Sequence, residues 1–113
     1  MKADKSLTAG STALMLMKLL SEQDMYGYQM IVTLRERSDH TFDLKAGTLY
    51  PLLHSMEQKG WIESWEVSTD TARPRRYYRL TSQGRGQLAE KEKEFRAYTK
   101  AVCAVLDGGL CYG

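Results

Sequence analysis

The sequence contains no apolar stretch that approaches the length of a membrane span, which takes about 20 residues. The apolar run LMLMKLL, residues 14–20, is much shorter than that. The N-terminus also lacks an apolar segment followed by a small-residue cleavage site, the pattern of a secretory signal. These absences predict a cytoplasmic protein without a membrane partner.

Residues that carry catalysis or hold metals are scarce. The two cysteines, Cys103 and Cys111, do not have metal-ligand spacing and indicate a reduced intracellular chain. The two histidines, His40 and His54, have no acidic residue at a telling distance along the chain. No glycine-rich phosphate loop and no paired-carboxylate motif is present. The sequence therefore predicts no catalytic residue, no metal site, no cofactor and no enzymatic activity.

Charge is balanced overall but unevenly placed. The 113 residues fit one domain, and 27% of them are charged, with a net charge of +2. Between Thr71 and Gly86, however, the chain holds five arginines and no acid. Arginine forks match phosphate oxygens, so this segment favours a nucleic-acid contact over a merely solvated hairpin. The five are Arg73, Arg75, Arg76, Arg79 and Arg85.

Three helices are predicted in the first half of the chain. Residues 7–20 are apolar nearly all round, as in a helix that is buried on more than one side, and one side is expected to face a second copy. Residues 26–37 form a second helix, and residues 38–47 a loop. Residues 47–59 form a third helix, which ends at Gly60. Its buried arc holds Leu49, Leu52, Leu53 and Met56.

A proline lies inside the third helix and constrains where that helix begins. If Thr48 caps the helix, Pro51 falls in the first turn, where its missing N–H is no loss. If the helix begins earlier, near Lys45, a kink is expected at the proline. The opposite side of this helix is polar and carries Thr48, Tyr50, Pro51, His54, Ser55 and Gln58.

A hairpin and a long helix complete the chain. Residues 61–69 and 75–81 have strand character and flank the turn DTARP, and Trp61 and Trp65 are expected to pack beneath the hairpin. Residues 82–106 form an amphipathic helix in which Leu88, Phe95 and Val102 recur every seven positions. We predict a mostly α fold with a β-hairpin: a winged helix-turn-helix domain (residues 1–81), a C-terminal dimerisation helix (82–106) and a flexible tail (107–113).

Three motifs resemble the PadR family of bacterial transcriptional regulators. They are YGYQM (residues 26–30), GTLYPLLHSMEQKGWI (47–62) and RRYYRLTSQGR (75–85), and the likeness covers about residues 7–98. The resemblance implies a winged-helix dimer that represses promoters and releases DNA on binding an effector. The short C-terminal helix resembles a subfamily in which some members bind aromatic drugs between subunits. Lys45 stands where many members have a capping serine or threonine.

The expected function is a DNA-binding regulator, a repressor that a small apolar or aromatic molecule releases from a palindromic operator. Two alternatives remain: a winged-helix module that binds protein and not DNA, and a redox-responsive regulator that uses Cys103. For Phe95 and Tyr98, a filled coiled-coil seam competes with an effector pocket. The predicted DNA contacts are Tyr28, Lys45, Thr48, Tyr50, Pro51, His54, Ser55, Arg73, Arg75 and Arg76. The predicted effector pocket comprises Leu14, Met15, Phe95 and Tyr98, and the predicted dimer interface Leu16, Leu88, Phe95, Val102 and Val105.

Overall fold

A computed structural model describes residues 10–70 and 73–108. The helices are α1 (Thr12–Glu22), α2 (Gly27–Arg37), α3 (Ala46–Gln58) and α4 (Ser82–Asp107). The strands are β1 (Met25–Tyr26), β2 (Ile62–Val67) and β3 (Arg75–Leu80). Three helices followed by a hairpin and a long helix confirm the winged helix-turn-helix prediction. Residues 7–9, the expected start of α1, and residues 109–113 of the expected tail lie outside the described residues.

The small sheet contains a strand that the sequence patterns did not predict. Its order is β1-β3-β2, and both pairs are antiparallel. In β1, Met25 pairs with Tyr78 and Tyr26 with Tyr77. Tyr26, expected to begin the second helix, precedes it instead, and its backbone N–H donates to Gln29 Oε1 at 3.0 Å. Two residues are too few to display the alternation that marks a strand.

One core holds the helices and one face of the sheet together. Its members are buried apolar side chains from every helix and from all three strands. Leu16, in α1, is 0% exposed, and Leu88, in α4, is 8% exposed. Both residues were predicted to lie in the dimer interface. We correct this prediction for these two residues, because they pack within the core and leave little surface for a second copy. The heptad repeat identifies apolar positions but not what covers them.

The two tryptophans occupy different environments. Trp61 is partly buried and packs against the core, as expected. Trp65 lies on the opposite face of β2 from the buried Ile62, because side chains alternate along a strand. There its ring stacks on Tyr77 with 6.1 Å between centroids, and the Arg79 guanidinium lies 4.3 Å from it. The expectation that Trp65 packs beneath the hairpin is therefore wrong.

The end of α3 and the start of α4 are held together by hydrogen bonds. We call this place the Trp61 corner; it comprises Gly60, Trp61, Thr81, Gln83 and Gly84. Thr81 Oγ1 lies 2.6 Å from the Gly60 carbonyl and 3.0 Å from the Trp61 carbonyl. The same oxygen caps α4 by accepting from the Gly84 N–H at 3.0 Å. Gln83 Nε2 donates to the Lys59 carbonyl at 3.2 Å. These contacts bind the two helices to each other through backbone atoms.

Candidate nucleic-acid interface

Helix α3 begins at Ala46, after Lys45 at the N-cap position. Lys45 makes no side-chain capping bond, and its ammonium lies 3.0 Å from Asp43 Oδ2. Thr48 therefore does not cap the helix; its backbone N–H donates to the Lys45 carbonyl at 3.0 Å. The earlier of the two predicted starts is the observed one. Pro51 consequently lies in the second turn, where it leaves the Gly47 carbonyl without its usual donor.

The side of α3 that faces away from the core forms a polar front. Leu49, Leu53 and Met56 are buried beneath it and fix the helix on the core. Thr48, Tyr50, Pro51 and His54 are exposed, and Ser55 is partly buried. Tyr28, at the start of α2, is 64% exposed. The structure thus leaves the predicted contacts of α2 and α3 open to solvent, with Ser55 partly covered.

Tyr50 lies at the edge of this front and packs on α2. A Cβ built on Gly27 would be 2.3 Å from Tyr50 Oη and 3.0 Å from its Cε1. The ring therefore lies against the backbone at the first residue of α2, where only glycine leaves it room. At 47% exposure, Tyr50 still presents part of its ring to solvent. The sequence indicated Tyr50 as a surface residue but gave no sign of this contact.

The arginines of β3 are not equally available. The Arg75 guanidinium lies 4.4 Å from the centroid of the Tyr26 ring and, among the described residues, forms no ion pair with a carboxylate. Arg79 lies 3.8 Å from both Asp24 and Glu63. No acidic residue lies between Thr71 and Gly86 in the sequence. In the fold, the pairing of β2 with β3 brings Glu63 and Glu66 close to these arginines, and the α1–β1 connection brings Asp24. Arg73 is exposed, next to the undescribed residues of the hairpin tip.

Arg76, a predicted DNA contact, is held in a hydrogen-bonded network. Its Nη2 lies 3.0 Å from Glu66 Oε1, and its Nη1 donates to Ser64 Oγ at 3.0 Å. Ser64 Oγ in turn donates to Glu57 Oε2, on α3, at 2.7 Å. We call these four residues the Glu57–Arg76 network. It runs from the end of α3 across β2 to β3, and sequence alone gave no sign of it.

Tyr78 lies beside this network on the inner face of β3. Burial raises the pKa of its hydroxyl above the usual range, the nearby Tyr50 and Glu57 raise it further, and Arg76 lowers it. The neutral phenol is therefore the form that the fold favours. The charged side chains at the junction of α3 and the sheet thus face a neutral neighbour at physiological pH.

The predicted effector pocket lies between two subunits, and within one chain its residues are divided between α1 and α4. The structure has an open cavity of about 260 Å³ between α1, α2 and the loop that follows α2. Of the four predicted residues, only Met15 lines it. Phe95 and Tyr98 lie on α4, 47% and 61% exposed. The cavity is lined by Met15, Lys18, Leu19, Leu34, Arg37, Ser38 and Phe42.

The described residues contain neither a candidate metal site nor a candidate membrane span. No group of three or more His, Cys, Asp or Glu side chains there could hold a metal ion. No helix in that part of the chain is long and apolar enough to cross a membrane. Cys103 is buried and disulfide-bonded, which contradicts the prediction of a reduced chain; that prediction rested on the number and spacing of the cysteines along the sequence and not on their positions in the fold. Cys111 lies outside the described residues.

Comparisons with known proteins agree with this architecture. A family model described as the transcriptional regulator PadR-like family matches residues 16–90. A protein of Lysinibacillus sphaericus is 30% identical over 93 residues, which are 82% of this chain and 85% of the relative. The structure of a transcriptional regulator from Clostridium thermocellum has a TM-score of 0.80 and 29% identity, covering 86% of this chain and 94% of that one. A PadR family regulator from Eggerthella lenta has a TM-score of 0.79 and 30% identity, covering 90% and 87%.

Proposed function

This chain belongs to the PadR-like family of transcriptional regulators, and from that premise we propose that two copies bind a palindromic operator, repress the adjoining promoter and release it on binding a small molecule. Membership makes the chain a DNA-binding regulator and not an enzyme. In the proposal, residues 1–81 contact DNA, residues 82–106 join two copies and residues 107–113 form a tail. The cytoplasm, where bacterial DNA lies, is the proposed location.

The observation that carries the DNA-binding proposal is the polar front of α3 on an apolar back. Three buried side chains hold the helix, while Thr48, Pro51 and His54 stay open on the other side. A helix presented in this way suits the major groove, where side chains meet base edges. Lys45, Tyr28, Tyr50 and Ser55 border it and are proposed to contact phosphates. Arg73 and Arg75 are proposed to do the same from the wing.

Replacing Arg75 by alanine tests the phosphate contact of the wing. We expect weaker binding to operator and unrelated duplexes alike, because phosphates carry no sequence information. The plot of log K against log salt concentration should also lose about 0.9 of its slope for each of the two copies bound, or about 1.8 for the dimer. Fluorescence anisotropy at several salt concentrations measures both quantities. The matched control is Arg96→Ala, which removes an arginine that pairs with Glu92 on α4; an unchanged slope in Arg75→Ala would contradict the contact.

The dimer proposal rests on an apolar stripe that α4 leaves exposed. Phe95, Tyr98, Val102 and Val105 are 47%, 61%, 41% and 86% exposed. Leu106, which the sequence analysis did not include, is 73% exposed. Exposed apolar side chains that follow one another along a helix are typical of an interface. In a dimer formed by two such helices, we expect the α3 helices to lie about 34 Å apart, because successive half-sites of a palindrome are one turn of DNA apart.

The effector proposal places a ligand between the two copies, bordered by Phe95, Tyr98, Leu14 and Met15. Aromatic rings on both sides of a two-fold axis would hold a flat apolar molecule by stacking and burial. Such a ligand changes DNA affinity only if it prefers one dimer arrangement over another.

Titration of the dimer with apolar dyes and planar drugs tests this pocket. We expect tyrosine fluorescence to change with a Kd near or below about 50 µM, and the change to disappear in Tyr98→Ala. Ala97→Ser, on the opposite face of α4, should leave the titration unaltered. If no compound binds, and a crystal of the dimer shows Phe95 packed solidly across the two-fold axis, the interface is a filled coiled-coil seam and not an effector pocket.

A further inference from the structure

We propose that Arg76 is a positioning residue and not a phosphate ligand: the Glu57–Arg76 network holds the wing at a fixed angle to α3. This inference rests on the proposed function, DNA binding through α3 and the wing. It separates two adjacent arginines that the sequence does not distinguish. It also assigns a role to Glu57 and Ser64, neither of which was among the expected DNA contacts.

The direction of the side chains supports the separation. Residues alternate across a strand, so Arg76 shares a face of β3 with Tyr78 and Leu80, the face that covers the core. Arg75 points to the other face, towards Tyr26. Of the two, Arg76 is the one on the side of the sheet that meets α3.

Both terminal nitrogens of Arg76 already donate a hydrogen bond within the network. One terminal nitrogen donates to Ser64 and the other to Glu66, each at 3.0 Å. A serine hydroxyl has one hydrogen, and Ser64 donates it to Glu57 at 2.7 Å, which leaves its lone pairs for Arg76. The three hydrogen bonds of the network are therefore chemically compatible with one another. A phosphate that took the N–H now bonded to Glu66 would have to displace that carboxylate.

The charge of Glu57 makes the proposal testable, because two accounts of this residue predict opposite changes in DNA affinity. Glu57 is an exposed acid on the recognition helix, so simple electrostatics expects it to repel DNA. Removing it would then tighten binding. If Glu57 instead holds the wing through Ser64 and Arg76, removing it loosens the wing and weakens binding to a correctly spaced operator. The two accounts predict opposite results from one substitution.

The experiment uses the full-length protein and two duplexes of about 30 base pairs. One is the best binder selected from a random-sequence pool by the parent protein, and the other is its scrambled version. We expect Arg76→Ala to bind the selected duplex about fivefold more weakly with an unchanged salt slope, and the scrambled duplex nearly as the parent does. Arg75→Ala should weaken both and lower the slope.

Glu57 variants complete the test. Glu57→Ala should weaken binding to the selected duplex about threefold, whereas Glu57→Gln, whose amide oxygen still accepts from Ser64, should stay within about twofold of the parent. Combining Glu57→Ala with Arg76→Ala should add nothing to Arg76→Ala alone, as expected within one network. Ser64→Ala should reproduce Glu57→Ala. Circular dichroism melting confirms that each variant is folded.

Two failures are distinguishable. If the parent selects no duplex from the random-sequence pool and binds the pool itself without salt dependence, the proposed function itself fails. If the parent and Arg75→Ala behave as expected but Arg76→Ala lowers the salt slope equally, Arg76 is a phosphate ligand and this inference is overturned. Tighter binding by Glu57→Ala would overturn it as well.

Discussion

Replacing Gly84 by alanine should lower the free energy of unfolding by about 3 kcal/mol, a large effect for one methyl group. A Cβ at Gly84 would lie 2.0 Å from the Trp61 carbonyl oxygen and 2.7 Å from Leu80 Cδ1. The nearer atom is backbone, so relief requires moving the whole turn between α3 and β2. That turn is held by Thr81, whose oxygen also caps α4. Urea unfolding monitored by circular dichroism measures the loss.

Gly86→Ala is the matched control in the same helix. Nothing lies within 4 Å of a Cβ at Gly86, which is exposed. Alanine there should stabilise the protein by up to about 1 kcal/mol, because glycine is the poorer helix former. If alanine lowers the free energy of unfolding at residue 84 and raises it at residue 86, the loss at Gly84 comes from the steric contact and not from helix propensity. If Gly84→Ala matches the parent in stability, the close approach of α4 to Trp61 is wrong.

Replacing Phe95 by aspartate should convert the proposed dimer into a monomer. Phe95 lies near the middle of α4, where the exposed stripe begins, and a carboxylate buried opposite its own copy would be unpaired. Operator affinity should fall by about a hundredfold or more, because each half-site would then be bound independently. Sedimentation at micromolar concentration measures assembly, and anisotropy measures the loss of binding.

Ala97→Asp controls for the added charge. Ala97 is exposed and lies about 160° around α4 from Phe95 at 100° per residue. This variant should remain a dimer and bind the operator nearly as the parent does. A parent protein that sediments as a stable monomer would refute the dimer, whatever the variants do.

Elements with strong periodicity were predictable from the sequence. The buried Leu49, Leu53 and Met56 follow helical spacing, and the buried Tyr78 and Leu80 occupy alternate positions of β3. The start of α3 was left open between two residues, because Pro51 is compatible with either. Strand β1 was missed, because a two-residue strand exists only through its partner, β3.

The character of the wing could not be predicted, because it depends on contacts between distant residues. Five arginines without a neighbouring acid indicated an open basic surface. In the fold, Glu66 faces Arg76 and Glu63 faces Arg79 across the β2–β3 pair. Asp24 reaches Arg79 from the other side. The register of a hairpin decides which charges meet, and composition alone does not contain it.

At the Trp61 corner, the N-terminal end of the long helix α4 is fixed to the C-terminal end of α3, so that a movement of α4 also moves α3. Lys59 and Lys91 both lie over the Trp61 ring, at 4.7 and 5.1 Å, and add to the backbone contacts there. With 26 residues, α4 is about 39 Å long. If α4 pivots by about 5° about its C-terminal end, α3 at the other end shifts by about 3.4 Å, the rise of one base pair. In the proposed dimer, a ligand that spread the two long helices slightly would therefore move each α3 out of step with its half-site without touching it.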